Sequence, residues 1–271
     1  MGEQSGWQLS DNAPEAYERY IITAFLGEWA QDLVQTAALK AGERVLDLGC
    51  GTGAVARSAA SVLGETGRVV GIDTNESMLA MARRVPPPSG VAITWQHGDA
   101  AALPVPDAAF DVVLCQQGLQ YFAQRAAALR EMVRVLAPGG RLALSVWRPL
   151  ERQPYFVALV DALEAHLNVE VAAPLRAAFT LGDTEELREL VTTAGFRAPH
   201  IRLVVKQMRF PSLAEYLPGY LAATPMAGAI AAMEGARRAS LFEDLLNKLQ
   251  PYVDDTGLAV PMECLVLVAR K

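Results

Sequence analysis

"VLDLGCGTG", residues Val45 to Gly53, sets three glycines within five positions directly behind an apolar run. Glycine at this density marks a backbone that a ligand approaches closely, or a turn whose dihedrals other residues resist. A tight strand-to-helix turn would explain part of the pattern by itself. The company the turn keeps along the chain separates the two readings.

Outward from the turn, Arg44–Leu48 reads as a buried strand and Ala54–Leu63 as a helix with Val55, Ala59 and Val62 on one face. A second strand is expected over 68–72, then a helix over 76–85 that the run Pro86-Pro87-Pro88 ends. Further strands are expected over 91–96, 110–115 and 141–147, with a helix over 125–136 between the last two. The fourth strand is almost wholly apolar, as a strand covered on both faces must be. Strands alternating with crossover helices imply a doubly wound α/β fold with a parallel sheet. Beyond it, helical patterns over 154–167 and 184–194 lead to a strand at 201–208. A helical insert over 212–249 precedes a last strand at 262–269, so the sheet closes with an antiparallel edge.

In such a sheet, ligands bind outside the carboxyl ends of the strands. The residues standing there are Asp47 with the glycine turn, Asp73, Gly98-Asp99-Ala100 and Gln116-Gln117-Gly118. A dinucleotide would call for G-x-G-x-x-G. This chain has G-x-G-x-G followed by Ala54, and Asp47 at the end of the first strand would repel a pyrophosphate. An aminoacyl nucleoside without phosphates, such as S-adenosylmethionine, suits the acids better.

"VLDLGCGTG", "VVGIDTNESML", "GDAAALPVPDAAFDVVLCQQGLQYF" and "LREMVRVLAPGGRLALSVW" resemble, in order and spacing, the motifs of class I S-adenosylmethionine-dependent methyltransferases. The closest texture is that of the ubiquinone/menaquinone-biosynthesis type, over residues 41 to 147. The resemblance implies a mostly parallel seven-stranded Rossmann-like sheet with helical lid insertions at about 149–180 and 210–250. Residues 1–40 would form an N-terminal helical arm on a domain spanning 41–271. It implies S-adenosyl-L-methionine as cofactor. Asp47 would act toward its amino group, and Gly49, Gly51 and Gly53 would line its methionine and ribose side. Asp73 would accept from both ribose hydroxyls, while Thr74 and Met78 lie along the adenine. Asp99 and the Ala100 N–H would bind the adenine edge. The Gln116 backbone would approach the amine, and Tyr20 of the arm the carboxylate. Gln117 and Tyr121 would face the substrate. Trp147, Phe122 and Met226 line the acceptor pocket or belong to the core.

Composition narrows the partners. The 271 residues are 52% apolar and 20% charged, with a net charge of −6 and no basic run longer than a pair. A phosphate-tracking nucleic-acid surface is therefore disfavoured. So is base methylation, since Cys115-Gln116-Gln117-Gly118 stands where an Asn/Asp-Pro-Pro-aromatic signature would be needed. The N-terminal residues have no signal-peptide character, and no stretch approaches the ~20 apolar residues of a membrane span. Cys50, Cys115 and Cys264 are far apart without a CxxC, and three histidines accompany them, so no metal site is expected. A cytoplasmic monomer or homodimer is the simplest setting.

His97 is the natural general-base candidate, but it stands on the adenine side, and the sequence names no catalytic residue. The expected function is methyl transfer to a small organic acceptor by in-line displacement. A cyclase or decarboxylase-like use of the cofactor, and a noncatalytic scaffold, stay open as alternatives. The acceptor and the methylated atom are not legible.

Overall fold

The computed structural model describes residues 13–87 and 91–271. The first twelve residues of the expected arm and the last proline of the run ending the second crossover helix lie outside the described residues.

The arm consists of α1 (Ala13–Tyr17), a nine-residue π-helix (Glu18–Leu26) and α2 (Gly27–Ala37). The alternating region follows: β1 (Arg44–Leu48), α3 (Ala54–Leu63), β2 (Arg68–Asp73), α4 (Glu76–Arg84), β3 (Ile93–His97) and β4 (Phe110–Gln116). A 3-10 turn (Leu119–Tyr121), α5 (Arg125–Val135) and β5 (Leu136–Trp147) complete it. Three helices come next, α6 (Pro154–His166), α7 (Val169–Ala177) and α8 (Thr184–Thr193). Then β6 (Arg197–Phe210) and β8 (Gly257–Arg270) enclose α9 (Leu213–Ala222), α10 (Ala227–Ala231), α11 (Gly235–Leu249) and the two-residue β7 (Val253–Asp254).

The sheet order is β3-β2-β1-β4-β5-β8-β6, with β7 paired to β8 at its side. Strands β1 to β5 run parallel, and β8 is antiparallel to both β5 and β6. The seven-stranded, mostly parallel architecture with an antiparallel edge is as the sequence implies, with the short β7 added. Strand order reverses between β1 and β4, so the crevice opens above their carboxyl ends. In β4, Val112 and Leu114 enter the core shared with the arm, α3 and α6, while Val113 and Cys115 enter the core around α5 and α8. That alternation explains the unbroken apolar run, because each face of the pleat meets its own layer of helices.

The departures from expectation have local causes. Strand β5 starts at Leu136, which pairs with Phe110, because the Pro138-Gly139-Gly140 bend lies inside the strand and not before it. Both β6 and β8 run fourteen residues, longer than expected, since β6 buries only one face and its ends carry little apolar signal. Helix α7 contains Pro174, which hides it from the helical pattern. The insert's stripe of Leu241, Leu245 and Leu249 is fully buried, and α11 packs on α6.

Candidate functional site

The glycine turn closes over the end of β1 by backbone geometry that side chains resist. Gly49, Gly51 and Gly53 have φ of +68°, +52° and +89°. The Gly49 and Cys50 N–H groups donate to the Ile72 carbonyl at 2.8 and 3.1 Å, tying the turn to β2. Gly49 and Gly51 border a cavity of about 600 Å³ above the strand ends; Gly53 does not. Gly53 starts α3 beneath Trp95, where an added Cβ would lie 2.2 Å from the indole ring. Close packing thus requires glycine at 53 whatever the cavity holds.

Asp47, Asp73 and Asp99 border the same cavity. Asp73 Oδ2 accepts from the Gly51 N–H and Oδ1 from the Asn75 N–H, both at 2.8 Å. A carboxylate offers about four lone-pair sites, so this arrangement orients Asp73 and still leaves acceptors for a diol. Burial raises its pKa, and these backbone bonds pull it back. Asn75, which is not among the expected site residues, caps α4 by accepting from the Ser77 and Met78 N–H groups at 2.9 and 3.2 Å. Asparagine ahead of a Glu-Ser start is a legible cap. Thr74 and Met78 line the same wall. Asp99 Oδ1 accepts from the Ala101 N–H at 2.9 Å, a turn that sets Asp99, Ala100 and Ala101 along the cavity.

Asp47 is 1% exposed, and its Oδ2 accepts from the Ala56 N–H at 2.9 Å inside the first turn of α3. Burial pushes its carboxyl up to about 7; the Ala56 bond opposes the rise and the charge of Asp73 adds to it. Asp47 lines the cavity, so it serves the helix start and borders the ligand space at once. The Thr52 hydroxyl is buried without a hydrogen-bond partner among the described residues, and Thr52 borders the cavity too. An orphaned hydroxyl beside spare carboxylate lone pairs and a glycine cradle fits a polar ligand of the S-adenosylmethionine kind.

At the end of β4, the Gln116 side-chain amide donates to the Leu26 carbonyl at 3.1 Å, tying the strand end to the arm. Gln117 adopts φ +49°, and its amide nitrogen lies 3.4 Å from Ser145 Oγ and 3.2 Å from Cys264 Sγ. Its carbonyl oxygen accepts from Gln120 at 3.2 Å, so the side chain is held in the wall it lines. Tyr121 lines the cavity.

Tyr20 is placed elsewhere. Its ring presses against α9 at Gly219, and its carbonyl accepts from the Tyr216 hydroxyl. Tyr17, three residues earlier, borders the cavity near the Asp73 charge instead. Glu18 of the arm meets Arg57 at 2.5 Å, and Arg57 also donates to the Thr52 carbonyl. His97 Nε2 sits 3.1 Å from the Thr74 carbonyl, outside the cavity lining. The far end of the cavity is built by Phe25, Trp147, Phe156, Leu175, Phe179 and Tyr220. Of these the sequence flags only Trp147, because isolated aromatics in helices carry no signal that separates a pocket from a core. Met226 lies in the core. Among the described residues, no group of three His, Cys, Asp or Glu side chains could hold a metal ion.

Strand order and strand-end acids define a doubly wound protein with a crevice bordered by three acids and a glycine turn. Residues 45–140 match the family model of a methyltransferase domain. Over that stretch the chain is similar to class I S-adenosylmethionine-dependent methyltransferases. A 2-phytyl-1,4-naphtoquinone methyltransferase of Synechococcus elongatus is 41% identical over 124 residues, 45% of this chain and 53% of its own length. A ubiquinone/menaquinone biosynthesis C-methyltransferase of Chromobacterium violaceum is 40% identical over 126 residues, 45% of this chain and 52% of its own length. The chain thus spans about half the length of the curated relatives it matches. The crystal structure of the [4+2]-cyclase SpnF aligns with TM-score 0.56 at 22% identity, covering 100% of this chain and 87% of that one. That likeness shows the fold and not the reaction. No helix among the described residues is long and apolar enough to cross a membrane.

Proposed function

We propose that the protein is an S-adenosylmethionine-dependent methyltransferase acting on a small organic acceptor. One observation carries the reading: a single cavity joins the strand-end acids to an apolar, aromatic end. S-adenosylmethionine, when bound, supplies a methyl group on a positively charged sulfur, open to in-line displacement. Asp73 takes the ribose hydroxyls, Asp99 and the Ala100 N–H the adenine, and the Gln116 backbone the amine. Thr52 offers its hydroxyl on the same side.

The acceptor lies against Tyr121, Trp147, Phe156 and Phe179. These side chains orient it and exclude water. Lys, Arg, His and Glu are missing from the described lining. Catalysis on this reading rests on alignment, for which effective molarities of roughly 10⁵–10⁸ M are ample. The arm (1–40) and the insertions at about 149–180 and 210–250 act as lids on one domain, 41–271. In support, Tyr17 and Phe25, Leu175 and Phe179, and Tyr220 reach the cavity from those three segments. Incubation with methyl-labelled S-adenosylmethionine and a panel of phenols, amines and thiols tests the proposal. S-adenosylhomocysteine release should match label in the product. Acceptor turnover without that release would overturn it in favour of a cofactor used without transfer.

A further inference from the structure

We propose that Tyr220 of α9 sets acceptor specificity: with Tyr17 and Tyr121 it lines a cavity that holds no cationic side chain among the described residues, and its hydroxyl meets the acceptor. The acceptor is then chosen by a neutral hydrogen bond, and anionic acceptors are refused. The proposal rests on the methyltransferase reading.

The charged side chains of the described lining are Asp47, Asp73 and Asp99, at the ends of β1, β2 and β3. A carboxylate or phosphate entering the cavity would lose its hydration, meet no cationic side chain of the described lining and face three acids. Desolvation of an unpaired ion costs several kcal/mol in real proteins. Neutral hydroxyls carry no such penalty and discriminate sharply, because a buried polar group left unpaired is itself costly.

Tyr220 is built to hold one orientation. It is 1% exposed, and its ring meets Tyr155 edge-on at 5.4 Å and Tyr216 at 5.8 Å. The three tyrosines come from three segments: α1 of the arm, the turn after β4, and the insert. They converge on one space only when arm and insert both cover it. Burial raises all three phenols, so they remain protonated donors across the working pH range; Tyr121 and Tyr220 are raised further by others of the three. Gln117, the amide on the same wall, is engaged by Ser145, Cys264 and Gln120. Tyr220 also lies outside residues 45–140, in the part of the chain where acceptor choice is free to differ from that of the relatives.

Equilibrium dialysis with 2-naphthol, 2-naphthoate and naphthalene tests this, on the free protein and on the protein loaded with S-adenosylhomocysteine. The wild type should bind 2-naphthol at least about tenfold more tightly than 2-naphthoate. Tyr220→Phe should weaken 2-naphthol about fivefold, the fold-change of one hydrogen bond of about 1 kcal/mol, and leave naphthalene and S-adenosylhomocysteine within twofold. Equal binding of naphthol and naphthoate overturns the proposal, as does binding of none of the three. An equal loss of naphthol and naphthalene in the variant overturns it too, by assigning Tyr220 to packing only. If Tyr220→Phe does not fold, the wild-type naphthol and naphthoate comparison decides alone. Failure of S-adenosylhomocysteine to bind sinks the methyltransferase reading instead, and the free-protein comparison still judges the cavity.

Discussion

The two ends of the cavity are made of different material. The polar end is backbone held by a few acids: a glycine turn tied to β2, and Asp73 fixed by two N–H groups. The apolar end is made of side chains, Trp147 from β5 and the others from the arm and the two insertions. Backbone sites need particular residues at fixed spacings, so their sequence is constrained. A side-chain wall needs only volume and polarity, so many sequences build it. One end can therefore serve a constant ligand while the other varies with the acceptor.

The strongest way to break this division is to cut the cover from beneath. Leu245→Ala, in the fully buried stripe of α11, should destabilise the fold by about 2–5 kcal/mol, read as a drop in melting temperature. At temperatures where the variant stays folded, its affinity for S-adenosylhomocysteine should match wild type. Asp73→Ala does the reverse. Losing a hydrogen bond to a charged group, worth about 1.5–3 kcal/mol, should cut cofactor affinity roughly tenfold or more in calorimetry. Its melting temperature should move less than that of Leu245→Ala.

Asp47 joins the two effects through pH. Its carboxyl is raised from 3.8 to about 7 in the fold, so the native chain holds that proton more tightly than the unfolded one. The unfolded chain sheds the proton first, and stability therefore falls as pH rises across that window and levels off above it. Asp47→Asn keeps an acceptor for the Ala56 N–H and removes the charge. Its melting temperature should exceed wild type by a margin that grows from pH 5 to pH 7.5. A margin independent of pH would contradict this account.

Tyr216→Phe is the smallest perturbation. It removes the hydroxyl that the Tyr20 carbonyl accepts from, at a cost of about 1 kcal/mol. Hydrogen exchange should quicken over 18–26 with cofactor affinity unchanged within twofold.

The same contrast sets what can be read from the sequence. Asp73, Asp99 and the glycines are legible because strand ends in a doubly wound sheet mark where ligands sit. At Gly53 two demands, a positive φ and close packing under Trp95, select glycine as surely as a ligand does. Tyr20 is occupied by packing against Gly219 of α9, and the arm's tyrosine at the cavity is Tyr17. Phe156, Phe179 and Tyr220 cannot be distinguished from core by pattern alone. Pro174 hides α7 because proline reads as a helix breaker, and β6, buried on one face, carries little apolar signal at its ends.

The central claim is that the glycine turn and the strand-end acids form a site for an adenosyl amino acid. Isothermal calorimetry of the wild-type protein against S-adenosylhomocysteine and against NADH tests it most directly. Saturable binding of S-adenosylhomocysteine at one site per chain, with no heat from NADH, is the result predicted. Clear NADH binding with none of the adenosyl compound would contradict it.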